Sequence, residues 1–230
     1  MDSLVVFVNF KVYKESFGKS ALRLAKACES VSNKTGVVVI PVVSALDLRV
    51  IAKAVSIPVF SQHVDPISFG RGNGKIPSET LHEADAAGAV VNHAEDKVMD
   101  SVVEDCVLKC HSAKLRVLAC AETELRAKSI ASFSPDFLAV EPPELIGGNV
   151  SVSTADPELV SRSVALIREV NHKVVPIMGA GVKSFEDAKR CVELGARGVF
   201  VSSGVVLAEN PKAALLDLAK GLKAGAQNQK

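Results

Sequence analysis

An acidic side chain stands where an apolar run ends, a little past the middle of the chain. Residues 137–140 have the composition of a buried parallel strand, and Glu141 follows them directly. Pro142 and Pro143 then force the backbone out of regular structure. A carboxylate at a strand end can remove a proton from carbon if it is sufficiently desolvated. The residues alone leave a second interpretation open, in which Glu141 is an ordinary solvated carboxylate in a turn.

The residues after Glu141 have the features of a lid. The segment 137–149 reads FLAVEPPELIGGN, so that a stiff pair of prolines is followed by an apolar tip and by Gly147 and Gly148. Glycine can adopt positive φ and lets a backbone N–H approach a ligand closely, because it has no Cβ. The pattern predicts a segment that closes over a small bound molecule.

Composition and charge exclude several classes of partner. The chain has 230 residues, 48% of them apolar, and its 27 basic and 26 acidic side chains leave a net charge of +1. The two signs are interspersed, so we expect neither a nucleic-acid nor a membrane partner. The longest apolar stretch, residues 37–43, is much shorter than the ~18 residues that span a membrane. Five cysteines without CxxC spacing, and no signal peptide before the first apolar run, predict a reduced, cytoplasmic protein.

Strand-like and helical patterns alternate along the whole chain. Apolar, β-branched runs occur at residues 4–8, 37–43, 57–60, 89–91, 115–119, 137–140, 174–178 and 198–201. Helical spacing is clearest at residues 19–32, 45–54, 97–112, 157–170, 185–194 and 211–222. Eight such units predict a single-domain (β/α)8 barrel over residues 1–230, with a frayed polar tail at 223–230. A doubly wound open sheet is the alternative, but residues 9–13 read NFKVY, not a GxGxxG turn.

In a (β/α)8 barrel, reactive side chains come from the carboxyl ends of the strands. We therefore expect the residues that follow the predicted strands to face one mouth of the barrel. They are Asn9, Lys11, Gln62, His63, Asp65, Asn92, His93, Glu95, Glu141, Gly179, Ala180, Gly181, Ser202, Ser203 and Gly204.

Several of these residues lie in motifs that share one resemblance. The motifs are NFK (9–11), QHVDP (62–66), NHAE (92–95), VEPPELIG (140–147), GAG (179–181) and SSG (202–204). Together, and in this order, they resemble the triosephosphate isomerase family in its shorter archaeal form. The resemblance covers essentially the whole chain, and the EPPELIG lid is its most specific part.

The resemblance implies an enzyme that interconverts dihydroxyacetone phosphate and D-glyceraldehyde 3-phosphate through an enediolate, without cofactor or metal. Glu141 would be the base, and His93 and Lys11 would stabilise the enediolate. A helix amino terminus near His93 would lower its pKa and keep its imidazole neutral. Glu95 would steady Lys11, although a carboxylate in the first turn of a helix is an equally good interpretation of the residue alone.

The resemblance also implies how the phosphorylated triose is held. Asn9 and Lys11 would lie beside it, and backbone N–H groups of the last two strand ends would bind the phosphate. Ile146 would seal the lid tip. The residues assigned to the phosphate are Gly181, Ser202, Ser203 and, on lid closure, Gly147.

Three positions depart from the family pattern without touching a catalytic residue. Ala94 replaces the serine usual in the NHSE motif and so removes a hydroxyl beside His93. Gly148 and Asn149 stand where the family commonly has Thr-Gly, so the hinge stiffness of the lid could differ. Asn73 occupies about the place of a threonine that reaches toward a neighbouring subunit. The exposed-looking stretch GRGNGK (70–75) predicts a homo-oligomer contact, with dimer and tetramer both open.

Two other functions fit parts of the sequence. A metal-dependent pentose-phosphate epimerase on the same barrel would use His63, Asp65 and His93 as ligands. A non-catalytic sugar-phosphate binder would keep the barrel but would have no need for the base at Glu141. Cys106 and Cys110, four residues apart on a predicted helix, could form a thiol site but are better interpreted as buried helix residues.

Overall fold

Eight parallel strands close into a barrel. The computed structural model describes residues 3–145 and 151–228. Each strand pairs with the next, and β8 pairs with β1 to complete the ring. The strands are β1 (Val5–Asn9), β2 (Val38–Val43), β3 (Phe60–Ser61), β4 (Gly88–Val91), β5 (Arg116–Ala121), β6 (Phe137–Val140), β7 (Val175–Met178) and β8 (Gly198–Val201). The predicted (β/α)8 barrel is confirmed.

Helices connect the strands on the outside of the barrel. They are α1 (Gly18–Thr35), α2 (Ala45–Ala54), α3 (Ser78–Glu83), α4 (Asp100–Ser112), α5 (Glu124–Ser132), α6 (Val152–Ala155), α7 (Pro157–Val170), α8 (Phe185–Glu193), α9 (Ser203–Val206) and α10 (Pro211–Gln227). Within the described ranges, none of these helices is long and apolar enough to cross a membrane.

The strands are apolar on both faces because both faces are buried. The side chains of Val6 and Val8 pack outward against the helices. Phe7, the residue between them on β1, points into the barrel. Phe7 makes edge-on contacts with three other phenylalanines, with ring centroids 5.0, 5.4 and 6.3 Å away. One of these, Phe200, also contacts the ring of His93 at 5.9 Å. The aromatic side chains inside the barrel therefore pack against His93, which follows the end of β4.

Side-chain caps fix the starts of three helices. Asp156 Oδ1 accepts a hydrogen bond from Leu159 N at 2.9 Å, and Asn210 Oδ1 accepts one from Ala213 N at 3.1 Å. Ser184 and Asp187 form a reciprocal capping box at the start of α8. Ser184 thereby fixes the end of the loop that leaves β7, which is one wall of the mouth.

Several predicted boundaries are wrong. The third strand is Phe60–Ser61, not 57–60, since Pro58 cannot donate a ladder hydrogen bond. Helix α4 begins at Asp100, three residues later than predicted. The short helices α3, α5, α6 and α9 lack clear three- and four-residue apolar periodicity and were not singled out by it.

The predicted frayed tail is also corrected. Helix α10 continues past Leu222 to Gln227, and Gly225 is buried against α8. A Cβ on Gly225 would lie 2.4 Å from the carbonyl oxygen of Lys189. Lys223 Nζ donates to the carbonyl oxygen of Thr35 at 2.9 Å. Residues 223–227 are therefore packed helix, because glycine permits close contact between α8 and α10.

Candidate active site

Glu141 is a buried carboxylate at the end of β6. Its backbone N–H donates to the carbonyl oxygen of Ala121 at 2.9 Å, which extends the pairing with β5 by one residue. The residue is only 6% exposed. Desolvation raises the pKa of Glu141 to about 7, although the positive charge of Lys11 and the thiol of Cys120 oppose the increase. A carboxyl group with this pKa is suited to accept and release protons near neutral pH.

The two oxygens of Glu141 have different surroundings. Oε1 lies over Gly179, where an added Cβ would come within 2.4 Å of it. Oε2 is buried without a hydrogen-bond partner and lies 4.0 Å from His93 Nε2. The absence of a side chain at position 179 thus makes room for the carboxylate. The orphan oxygen on its other side faces the imidazole.

His93 is held in one tautomer at the end of β4. Its Nδ1 accepts a hydrogen bond from the backbone N–H of Glu95 at 3.1 Å, which leaves Nε2 to carry the proton in the neutral ring. The preceding residue, Asn92, adopts φ +60°, and its side chain bridges Cys120 O at 2.8 Å and Val98 N at 3.0 Å. This bridge fixes the turn that presents His93.

The pKa of His93 is lowered, as expected, but for a different reason. Burial of the ring disfavours its charged form most strongly, and the positive charge of Lys11 adds to the effect. Helix α4, which was expected to supply a nearby amino terminus, begins seven residues later at Asp100. The imidazole is therefore neutral at neutral pH, and Nε2–H is available as a donor.

Lys11 has a left-handed backbone conformation, with φ +47°. Two side chains hold its backbone: Asn9 Oδ1 accepts from Lys11 N at 3.0 Å, and Gln62 Nε2 donates to Lys11 O at 3.0 Å. Its Nζ lies 2.6 Å from Glu95 Oε1. The left-handed conformation is strained for a non-glycine residue, and the two hydrogen bonds to the backbone of Lys11 stabilise it. They thereby fix the direction in which the ammonium group projects.

One pocket of about 500 Å³, open to solvent, joins these residues to the ends of β7 and β8. Gly181, with φ +74°, and the start of α9 form its far wall. Ser202 Oγ donates to the carbonyl oxygen of Asn9 at 2.8 Å, which ties this wall to the first strand. The predicted residues that line the pocket are Asn9, Lys11, His93, Glu141, Ala180, Gly181, Ser202, Ser203 and Gly204. Ile146 and Gly147, and the hinge residues Gly148 and Asn149, lie outside the described residues.

Comparison with known proteins agrees with this geometry. A family model described as triosephosphate isomerase matches residues 4–221. The chain belongs to the triosephosphate isomerase family. The triosephosphate isomerase of Methanothermus fervidus is 43% identical over 218 residues, which cover 95% of this chain and 98% of that protein. The triosephosphate isomerase of Archaeoglobus fulgidus is 45% identical over 214 residues, which cover 93% of this chain and 96% of that protein. Both relatives support the predicted resemblance.

A solved structure also supports the fold. The crystal structure of triosephosphate isomerase from Bartonella henselae has a TM-score of 0.74 and covers 100% of both chains at 19% identity. At that identity the match speaks for the barrel and its connections alone.

Several pocket residues were not singled out in the sequence as triosephosphate isomerase site residues. Tyr13, Val182, Lys183 and Phe200 line the same pocket. Lys183 lies two positions beyond the GAG motif, but its place in the pocket depends on how the loop after β7 turns. Cys120 is a buried residue of β5 whose thiol donates to Glu141. Its only sequence signal is its place on the strand beside β6.

The three residues proposed as metal ligands for an epimerase do not form one group, although two of them, His63 and Asp65, are in contact. His63 contacts Asp96 at 2.7 Å and Asp65 at 3.2 Å, and Asp65 also pairs with Lys75 at 2.9 Å. In the part of the chain that the structure describes, no group of three or more His, Cys, Asp or Glu side chains could hold a metal ion. The donor set of the epimerase interpretation therefore does not fit, and family membership favours the isomerase.

Cys106 and Cys110 are buried in α4, as expected. Burial raises the pKa of each thiol to about 12, so neither is a reactive thiolate at neutral pH.

Proposed function

We propose that this protein interconverts dihydroxyacetone phosphate and D-glyceraldehyde 3-phosphate by moving one proton between adjacent carbons. The observation that carries the proposal is the meeting of Glu141, His93 and Lys11 in one pocket, with His93 Nε2 4.0 Å from Glu141 Oε2. These residues come from the ends of three different strands. Membership of the triosephosphate isomerase family supplies the substrate class.

The reaction needs a base that works twice. The Glu141 carboxylate removes a proton from the carbon next to the carbonyl, and the electron pair of that C–H bond forms the C=C bond of an enediolate. The carbonyl oxygen takes up the negative charge. Glu141 then returns the proton to the neighbouring carbon. With a pKa of about 7, Glu141 is a stronger base than an ordinary carboxylate and is still partly ionised at neutral pH.

The enediolate oxygens need donors in a site with little water. His93 Nε2–H is such a donor, and the neutral ring can both give and recover a proton as the hydroxyl proton moves between the two oxygens. Lys11 adds a positive charge beside the developing anion, and Glu95 holds its ammonium group at 2.6 Å. In this proposal Glu95 is a positioning residue.

The phosphate of the triose is assigned to the far wall of the pocket. Backbone N–H groups of Gly181, Ser202 and Ser203 would bind it, with Asn9 beside the substrate. The lid residues Ile146 and Gly147 would cover the bound triose. Exclusion of water protects the enediolate phosphate from elimination. The proposed proton transfers are assigned to Glu141 and His93, and no step is assigned to a cofactor or a metal.

We further propose a cytoplasmic homo-oligomer, either dimer or tetramer. All five cysteines are buried free thiols, which is typical of reducing compartments. Residues 70–75 are exposed, and Phe69 next to them is 66% exposed. A large apolar side chain on a projecting loop is typical of a surface that packs against another subunit. Sedimentation equilibrium would measure the number of subunits, and a monomer would contradict this part of the proposal.

The test is a coupled assay with glyceraldehyde 3-phosphate in the presence of EDTA. We expect full activity in the unsubstituted protein and a loss of roughly 10²–10⁴-fold in Glu141→Gln, since the amide cannot accept the proton. Glu158→Gln, on the exposed surface of α7, is the matched control and should keep full activity.

Three results would contradict the proposal. Unchanged turnover in Glu141→Gln would reject the proton-transfer role. Activity that EDTA abolishes would favour the metal-dependent epimerase. Binding of a phosphate-containing analogue without any turnover in the unsubstituted protein would favour a sugar-phosphate binder.

A further inference from the structure

A second histidine contacts the turn that carries His93. His63 follows the end of β3, and Ser61 Oγ donates to its carbonyl oxygen at 2.8 Å. The Nδ1 atom of His63 lies 2.7 Å from Asp96 Oδ2. An ionised carboxylate only accepts hydrogen bonds, so Nδ1 of the imidazole is the donor. His63 thus joins the end of β3 to the loop after β4.

The other side of the His63 ring faces a carboxylate that is held in place. Nε2 of His63 lies 3.2 Å from Asp65 Oδ2, and Asp65 is only 5% exposed. The Asp65 carboxylate accepts hydrogen bonds from Lys75 Nζ at 2.9 Å and from Ile76 N at 2.7 Å. Because these bonds hold Asp65 in place, they also restrict the ring of His63.

The partner of His63 belongs to the turn 93–96. Asp96 N donates to the carbonyl oxygen of His93 at 2.8 Å, and Glu95 N donates to His93 Nδ1 at 3.1 Å. The side chain of Glu95 contacts Lys11, which follows β1, at 2.6 Å. The side chain of Asp96 contacts His63, which follows β3. Two consecutive residues therefore bind His93 through their backbone and are held by their side chains.

The geometry of this turn decides what His93 can do. The hydrogen bond from Glu95 N to Nδ1 leaves Nε2 to carry the proton, and Nε2 lies 4.0 Å from Glu141 Oε2. A movement of the turn that breaks this bond would change both the tautomer and the direction of Nε2–H. Stabilisation of a transition state by a hydrogen-bond donor depends on its placement to within about 1 Å.

We propose that His63 is a positioning residue for His93 and acts through Asp96. This inference rests on the proposed function, because it takes His93 Nε2–H to be the donor to the enediolate. His63 does not appear among the described residues that line the pocket. Loss of its bond to Asp96 should therefore lower kcat and leave KM nearly unchanged.

Two substitutions separate the two contacts of the ring. The amide nitrogen of asparagine can take the place of Nδ1, and that of glutamine can take the place of Nε2. His63→Asn therefore keeps a donor to Asp96, whereas His63→Gln keeps only a donor to Asp65. The Asp96 side chain is 60% exposed, and such a pair shifts an equilibrium by roughly fivefold at most.

Steady-state kinetics in the coupled assay compare these two variants. We expect His63→Gln to lower kcat roughly threefold while KM changes less than about 1.5-fold. His63→Asn should keep most of kcat. The same kcat in both variants would refute the proposal, because it would show that the bond to Asp96 does not matter.

The route through Asp96 has its own test. Asp96→Ala removes the same hydrogen bond, so it should lower kcat by about the same factor as His63→Gln, and the double variant should lower it no further. Additive losses would contradict a route through Asp96. His111→Asn is the matched control, since it breaks the contact of 3.0 Å between His111 Nε2 and Asp136 Oδ2. Asp136 precedes β6, at the opposite end of the barrel, so kcat should not change.

Hydrogen exchange gives a second readout. The N–H groups of Glu95 and Asp96 both bind His93, so their exchange rates, measured by NMR, report opening of the turn. His63→Gln should raise both rates roughly threefold to fivefold at constant pH, and His63→Asn should not. The N–H of Glu141, which extends the pairing of β6 with β5, should exchange at an unchanged rate.

Two results of the exchange experiment would overturn the role of His63. One is an unchanged rate at Glu95 and Asp96 in His63→Gln. The other is an equal increase at Glu141, which would show a general loss of stability. The exchange experiment requires no turnover, so a failure of the isomerase proposal would be recognised separately by the coupled assay.

Discussion

The burial of Glu141 should make the stability of this protein depend on pH in a way that one substitution removes. The pKa of this carboxyl group is raised from 4.5 to about 7, mainly by desolvation. The folded state therefore holds the proton more tightly than the unfolded chain does. The resulting stabilisation is complete below about pH 4.5 and is lost as the pH rises through about 7. Glu141→Gln cannot titrate and should lack this loss.

The magnitude follows from the two pKa values. A difference of about 2.5 pKa units corresponds to about 3 kcal/mol, because each unit is worth 1.36 kcal/mol. Of this, about 2 kcal/mol falls between pH 5.5 and 8.5, since the unfolded carboxyl group is already mostly ionised at pH 5.5. The free energy of unfolding of Glu141→Gln, relative to the unsubstituted protein, should therefore increase by about 2 kcal/mol across that range.

The assay is urea denaturation at several pH values. Far-UV circular dichroism is the suitable probe, because the chain has no Trp and one Tyr. Both proteins must be compared at the same concentration, since the stability of an oligomer depends on it. Any cost of burying the glutamine amide is independent of pH and cancels in the comparison. Parallel pH profiles for the two proteins would show that Glu141 is not desolvated in the folded state, and would refute the reasoning.

Three further predictions concern the same carboxylate. Gly179→Ala should lower kcat at least tenfold, since the new Cβ would come within 2.4 Å of Glu141 Oε1. Steady-state kinetics of this variant and of the unsubstituted protein would check this, and equal rates would contradict it. The pH profile of kcat/KM should fall below about pH 7 as Glu141 becomes protonated, and a profile flat down to pH 5 would contradict a raised pKa. Ala94→Ser places a hydroxyl in the small cavity that Ala94 shares with Glu141, so the same fall should move to lower pH. An unchanged midpoint would mean that the hydroxyl does not reach the carboxylate of Glu141.

The barrel could be predicted because its strands are buried on both faces. Such strands appear in the sequence as continuous apolar runs, and the strands β6 and β8 have the predicted bounds. The helices α2 and α7 also have the predicted bounds. The failures have physical reasons. Strand β3 is only two residues long, so its pattern was dominated by neighbouring residues. A glycine near the end of a helical pattern often ends the helix. Gly225 instead lies inside α10, where it packs closely against α8.

The candidate site was predicted less completely than the fold. Strand ends identify Glu141, His93 and Lys11, because the barrel brings all carboxyl ends to one mouth. The sequence could not show that burial and Lys11, and not a helix terminus, lower the pKa of His93. Nor could it show that Lys183 lines the pocket. These features depend on distances between loops that are far apart in the chain.

The two oxygens of Glu141 can be assigned different roles from their contacts. Oε1 is confined over Gly179, whereas Oε2 is buried without a donor. A carboxylate oxygen that already accepts a hydrogen bond is a weaker base, because the bond stabilises its charged form. Oε2 accepts no such bond, and it lies 4.0 Å from His93 Nε2, so both groups face the same space. The unsatisfied oxygen lowers the stability of the folded protein, and it is the atom to which a proton from the substrate carbon should move.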